Sequence, residues 1–388
     1  MILRLAERAL GKTARRGMLA ARAGLLRLTH ASGPSSRELD PTAIRRILAV
    51  RLDRLGDLVL TLPALDDLAD AYPNAHRAVM VPPAHAPLLR GRSAIHRVVV
   101  AEHDGDVGAL AIRIAAIEPD LAIDFSPVDD LRAARAMALA RVPFRVGLAG
   151  GGREVYFTET IAPGRQSRPL TETNGLVIRA SGGIPSNAAP VVEVDRDSGF
   201  EAEGLLRQLG APSGWPRIAV HPGGYYPSQR WPVERFADVA VALAARHTGK
   251  VVILGGPGDD ELVRALHRFG AEHSVMVPPV DVANLAAVLS RCDILIANNS
   301  GPLHLGGAVG LPTVSVMGPT DPVRFWPMGA EQAVLRRREL ACSPCARGRC
   351  GPHDCLQGIT VSEVLDAAHE LLDGALARRR HLEAGVSL

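Results

Sequence analysis

Aromatic side chains are scarce in this chain: three Trp, four Tyr and seven Phe among 388 residues. That removes the stacking platform on which proteins hold single-stranded nucleic acid. Charge of one sign is also lacking. The 44 bases and 41 acids leave a net charge of +3, too little for a partner of nucleic acid. No apolar run reaches the roughly 18 residues that a spanning helix needs. Only five cysteines occur, and four fall in one short stretch, so a scaffold stapled throughout by disulfides is excluded.

What charge there is lies unevenly. Residues 1–30 carry seven bases (Arg4, Arg8, Lys12, Arg15, Arg16, Arg22, Arg27) against Glu7, a local charge of +6 that leaves −3 for the remainder. The segment has no uninterrupted apolar core and no small-residue cleavage site, so it does not read as a signal peptide. Leucines and arginines interleave instead, which suits either a helix lying on an anionic membrane surface or one packed on the protein's own surface. Ala31-Ser32-Gly33-Pro34-Ser35-Ser36 then reads as a linker.

From residue 44 short apolar runs alternate with helical patterns, the signature of parallel strands with crossover helices. Strands are expected at 46–51, 77–81, 96–100, 121–125, 144–147, 217–221, 250–254, 293–297 and 313–317. Helices are expected at 58–71, 107–117, 129–140, 233–246, 258–269, 282–290, 302–309 and 361–379. Between the halves, 148–200 is rich in Gly, Pro and Ser and reads as irregular. The organisation expected is a basic extension (1–40), two Rossmann-like α/β domains (41–200 and 201–360) and a C-terminal helix (361–388). Doubly wound domains bind ligands at the carboxyl ends of their strands, so the loops there are where function should lie.

Four such loops stand out. "RLDRLGDLVLTLPAL" (51–65) follows a strand with Arg51, Asp53, Arg54 and Asp57 around Gly56, more charge than a connection needs. "NNSGPLHLGG" (298–307) joins a strand to a helix, with Ser300 as a good N-cap and Pro302 in the first turn. Free N–H groups and the positive end of the dipole make such a turn a phosphate site, with His304 one turn in; the plain alternative is a well-capped helix with a buried His. "HPGGYYPSQRWP" (221–232) offers Ser228, Gln229 and Arg230 beside two glycines, and Arg suits a diphosphate. "GGPGDDELV" (255–263) lacks the dinucleotide fingerprint G-x-G-x-x-G. Its acids Asp259, Asp260 and Glu261 suit either ribose hydroxyls or the helix dipole.

These motifs, in this order and with "ILGGPGD" and "GLPTVSVMGPTDP" between and after them, resemble the bacterial lipopolysaccharide heptosyltransferase family (ADP-heptose:lipopolysaccharide heptosyltransferases, glycosyltransferase family 9) over about residues 45–375. The resemblance implies a GT-B fold, two Rossmann-like domains facing each other across a cleft. It further implies an ADP-heptose donor, an inverting transfer to a lipopolysaccharide-type acceptor, and neither cofactor nor required metal. Carried over residue by residue, Asp57 is the general base, Gly56 admits the acceptor, and Arg51 and Arg54 hold an anionic acceptor unless they pair with Asp53. Ser228, Arg230, Glu261, Asn299, Ser300, Gly301 and His304 form the donor side. Asn299 stands where the family usually has Asp, which keeps a degenerate nucleotide-sugar-binding protein as an alternative, beside a transferase for another nucleotide sugar or acceptor. The implied location is cytoplasmic, peripheral on the inner membrane. Finally, "CSPCARGRCGPHDC" places Cys342, Cys345, Cys350 and Cys355 at spacings that suit either a structural zinc or free thiols, while Cys292 is expected buried in a strand.

Overall fold

In a computed structural model of the protein, residues 12–29, 39–102, 105–164, 166–329 and 331–383 are described. The chain forms two compact units, Met1–Ala189 and Pro190–Leu388. In the first, helix α1 (Lys12–Thr29) precedes β1 (Arg46–Val50), α2 (Leu55–Val59), α3 (Leu62–Ala71), β2 (His76–Val81) and β3 (Arg97–Val100). Then come α4 (Val107–Ala115), β4 (Leu121–Asp124), α5 (Arg132–Leu139), β5 (Phe144–Leu148), β6 (Glu159–Ile161) and α6 (Leu170–Ala180). The sheet is parallel, in the order β3-β2-β1-β4-β5-β6. Ile47, Leu48, Ala49 and Val50 of β1 are all buried, as expected of a central parallel strand covered on both faces.

The second unit holds α7 (Arg196–Gln208), β7 (Arg217–His221), α8 (Val233–His247), β8 (Lys250–Ile253), α9 (Asp260–Phe269), β9 (Ser274–Met276) and α10 (Val282–Leu289). It continues through β10 (Ile294–Asn298), α11 (Gly301–Ala308), β11 (Thr313–Val316), β12 (Gln332–Leu335), α12 (Asp354–Gln357) and α13 (Val361–Glu383). Its sheet order is β12-β11-β10-β7-β8-β9, again parallel. Numbered from its own first strand, this is the 3-2-1-4-5-6 order of the first unit repeated, the Rossmann arrangement in both. The last helix belongs to this unit's core: Val364, Ala368 and Leu372 pack among Trp231, Phe236 and the sheet residues Ile218, Ile296 and Val314.

Two expectations need correction. The stretch 148–200 is not irregular throughout, since it contains β6, α6 and the start of α7. The helix expected at 58–71 is two helices, α2 and α3, parted at Leu60 and Thr61. In the basic N-terminal segment, residues 1–11 and 30 lie outside the described residues, as does the linker 31–36. Within α1, Arg22 donates to the carbonyls of Gly151 (2.8 Å) and Asp129 (3.2 Å), and Ala23 is buried against the first unit. Part of this helix therefore packs on the protein's own surface. Among the described residues no helix is long and apolar enough to cross a membrane.

Candidate functional site

In each sheet the strand order reverses at one point, between β1 and β4 in the first unit and between β7 and β10 in the second. Loops beyond the carboxyl ends of these strands frame the usual ligand crevice of a doubly wound sheet. Three of the charged or glycine-rich loops singled out above leave β1, β7 and β10, and the fourth leaves β8.

At the first switch point Arg51 leaves β1 and is 2% exposed. Its Nε lies 3.0 Å from Asp53 Oδ1 and its Nη2 3.3 Å from Asp57 Oδ1, while Nη1 donates to the Phe125 carbonyl just after β4. Nη1 and Nη2 make hydrogen bonds, while Nε meets Asp53 as an ion contact alone. Arg51 thus makes the pairing with Asp53 that the sequence left open as the alternative to an anionic acceptor, and it also reaches Asp57. Asp57, in the first turn of α2, is only partly buried, as is Arg54, the residue that precedes the helix. Gly56 is buried beside them. Burial raises the Asp53 carboxyl to about 7; the nearby Arg51 charge opposes this and the Asp57 charge adds to it.

A buried ion pair braces the same end of the sheet. Arg153 and Asp124, both fully buried, meet through Nη2 and Oδ2. Arg153 Nη1 also donates to the carbonyls of Ser126 (2.7 Å) and Pro127 (2.9 Å), and the Ser126 N–H donates to Asp124 Oδ1 at 2.8 Å. The pair fixes the loop after β4 whose Phe125 carbonyl holds Arg51. Sequence reading missed it, because Arg153 sits in the glycine-rich stretch that gave no helical or strand period.

At the second switch point His221 ends β7 and is 4% exposed. Its Nδ1 is 3.1 Å from Ser300 Oγ and its Nε2 is 3.4 Å from Asp259 Oδ2. Asp259 Oδ1 in turn lies 3.7 Å from Arg230 Nη2, and Arg230 Nε donates to the Gly224 carbonyl at 2.9 Å. One imidazole therefore ties together the loops after β7, β8 and β10. Burial pushes the Asp259 carboxyl up, but hydrogen bonding and charge from His221, the Gly256 N–H and Arg230 outweigh it, and the group stays below the usual carboxylate range. Gly223 is required here, since a Cβ at that position would collide with the Asp259 carboxylate. Asn298, missed from sequence, clamps the same loop: its Oδ1 accepts from the Trp231 N–H (2.9 Å) and its Nδ2 donates to Pro222 (2.8 Å) and Gly223 (3.1 Å).

The remaining donor-side residues divide. Ser300 occupies the N-cap of α11 but makes no side-chain cap, its hydroxyl being turned to His221; Gly301 opens the helix and His304 is buried within it. Asn299 Nδ2 donates to the Phe325 carbonyl at 3.2 Å, a bond that an Asp carboxylate could not make. Ser228 is buried and donates its proton to the Arg347 carbonyl at 2.6 Å, so it serves as a tie to the cysteine-rich loop. Glu261 is exposed in the first turn of α9; the acid that reaches Arg230 and His221 is Asp259, two residues earlier.

Among the described residues no three His, Cys, Asp or Glu side chains are placed to hold an ion. Cys342 is exposed, Cys345, Cys350 and Cys355 are half-buried, and all four are free thiols. Burial and the three neighbouring cysteines push the Cys355 thiol upward. Cys292 is half-buried before β10 and not within it, with its thiol raised to about 12 by burial.

Residues 108–353 match glycosyltransferase family 9 (heptosyltransferase). A lipooligosaccharide heptosyltransferase 2 from Campylobacter jejuni is 29% identical over 163 residues, 40% of this chain and 50% of that protein. The chain thus spans about half the length of the first curated relatives it matches. A lipooligosaccharide heptosyltransferase 2 from Haemophilus ducreyi is 24% identical over 84% of this chain and 99% of its own. In structure, a family 9 glycosyltransferase from Veillonella parvula superposes with a TM-score of 0.75 at 27% identity, covering 87% of this chain and 99% of that one.

Proposed function

This chain belongs to glycosyltransferase family 9, the heptosyltransferase family, and from that membership we propose that it transfers a heptose from ADP-heptose to a lipopolysaccharide core acceptor with inversion. The observation that carries the reading is the pair of switch-point sites, one presenting a partly buried carboxylate held by an arginine, the other gathering Arg230, Asp259 and His221 at a helix start. In the proposed reaction Asp57 takes the proton of the acceptor hydroxyl as that oxygen forms its bond to the anomeric carbon. The bond from that carbon to the diphosphate breaks, and its electron pair leaves with ADP. Arg51 holds the Asp57 carboxylate in place through its Nη2. Arg54 and Gly56 are proposed to meet the acceptor.

Arg230, together with Ser300 and Gly301 at the start of α11, is proposed to bind the donor diphosphate, the guanidinium neutralising charge that would otherwise call for a metal. Asn299 and His304 complete that wall. Residues 1–30 are proposed to hold the enzyme peripherally on the cytoplasmic face of the inner membrane. Incubating the protein with ADP-, UDP- and GDP-linked sugars and a truncated core acceptor, with chelator present, tests the reading. ADP-heptose should alone give product, of inverted anomeric configuration. Turnover of a UDP- or GDP-sugar in its place would overturn the donor assignment.

A further inference from the structure

The second switch point contains an imidazole with a partner on each nitrogen, and this makes the direction of one hydroxyl depend on a proton. Asp259 is ionised and can only accept, so the ring nitrogen facing it, Nε2, carries hydrogen. The other nitrogen, Nδ1, lies 3.1 Å from Ser300 Oγ and is free to take either role. With a neutral ring Nδ1 accepts, and the Ser300 proton is directed at His221. Oγ then turns lone pairs toward the mouth of α11, which repels an anion. With a protonated ring Nδ1–H donates to Oγ, and the hydroxyl proton is released to point outward. Ser300 fits this role because, although at the N-cap, it makes no cap bond with its own helix.

We propose that His221 gates phosphate binding through Ser300: the protonated imidazole turns the Ser300 hydroxyl into a donor for the diphosphate, and nucleoside diphosphate binding takes up a proton at His221. This rests on the donor reading of the α11 loop and adds its regulation. The charge balance agrees. Arg230 and Asp259 cancel one another across 3.7 Å, so a proton on His221 gives the cluster a net positive charge when an anion arrives. The charged groups that face the ring are Asp259 from the loop after β8 and, beyond it, Arg230 on the loop after β7.

The test uses the full-length protein and ADP as probe, with calorimetric titrations between about pH 6 and 8 in two buffers of different ionisation enthalpy. The ionisation of ADP itself is common to every variant, so the comparison is with Ser300→Ala, whose folding is checked by thermal melting. Wild type should take up more protons on binding ADP than Ser300→Ala does. Its affinity should fall about three- to tenfold more steeply over that range, as linkage to a single titrating group allows. Ser300→Thr, which keeps a hydroxyl, should restore the wild-type dependence. If ADP binds and Arg230→Ala weakens it, yet wild type and Ser300→Ala show the same proton uptake, the gate is refuted and the donor site stands. If ADP binding is absent or indifferent to Arg230→Ala, the donor reading fails and takes the gate with it.

Discussion

Arg51 and Asp57, six residues apart in sequence, meet at 3.3 Å, Nη2 to Oδ1, with the arginine buried and the aspartate only partly so. A buried base at the end of a strand thus presents a carboxylate toward the mouth of the sheet. Replacing Asp57 by Asn keeps the size and removes the proton acceptor. General-base assistance contributes about 100- to 10,000-fold, so kcat should fall by that order while ADP affinity stays near wild type. The variant should fold, because Asp57 is not the capping residue of α2. A near-normal kcat would take Asp57 out of the mechanism.

Asp53 gives a pH signature in stability. Its folded-state value, about 7, lies above the ordinary carboxylate value, so the folded chain holds this proton more tightly than the unfolded chain. That contribution is full below about pH 4 and is lost as pH rises through about 7. An Asp53→Asn variant lacks the loss. It should melt above wild type at about pH 8, with the gap closing toward about pH 4. Parallel Tm-versus-pH curves for the two proteins would show that Asp53 does not titrate in this way.

Much of this was legible in sequence where local and global signals agree. The strand Ile47–Val50 and the charged loop after it were visible because a buried parallel strand is a short apolar run and a loop beyond it has no structural need of four charges. α6 was hidden because Thr171, Thr173, Asn174 and Gly175, polar or small, interrupt its buried face between Leu170 and Val177-Ile178. Asn174 is held by partners over a hundred residues away, its Nδ2 donating to the Leu60 carbonyl and Thr61 Oγ1. α7 left a fainter mark that could have been used: Asp195 as N-cap and Gly199, Ala202 and Leu206 at helical spacing. Strands β6, β9 and β12 have only three or four residues, too few for a period. The choice between Asp259 and Glu261 depended on which acid turns inward, and no residue pattern states that.

The division of the two acids is itself testable. Arg230→Ala should weaken ADP binding by about tenfold or more, the loss of a charge-assisted phosphate contact. Asp259→Asn should also weaken it, by releasing Arg230 and His221 from their positions. Glu261→Ala should leave it unchanged, since that side chain is exposed in the first turn of α9. A Glu261→Ala loss equal to that of Arg230→Ala would return Glu261 to the donor site.

The buried pair Arg153–Asp124 should behave as one unit. Removing a single partner strands a charge in a fully buried setting, which typically costs about 3–5 kcal/mol. Asp124→Ala should therefore lower the denaturant midpoint sharply, and Arg153→Met likewise. The double substitution should lose less than the two singles together, because no charge is left unpaired. Additive losses would mean that the backbone carbonyls of Ser126 and Pro127, and not Asp124, carry the stabilisation of Arg153.

The N-terminal segment calls for a truncation chosen by what α1 does. Arg22 and Ala23 are bound to the first unit, so removing residues 1–30 takes away packing as well as charge. Removing residues 1–11 takes Arg4 and Arg8 and leaves those contacts intact. If the basic charge draws the protein to membranes, the intact chain should bind vesicles containing anionic lipid, each base near the surface contributing about 1 kcal/mol, and binding should weaken as salt shortens the screening length. The shorter truncation should bind several-fold more weakly while its Tm and its turnover of a soluble acceptor stay at the wild-type level. The longer one should lose vesicle binding and also melt earlier. Vesicle binding by the longer truncation equal to that of the intact chain would place the membrane contact outside this segment and leave α1 with its packing role alone.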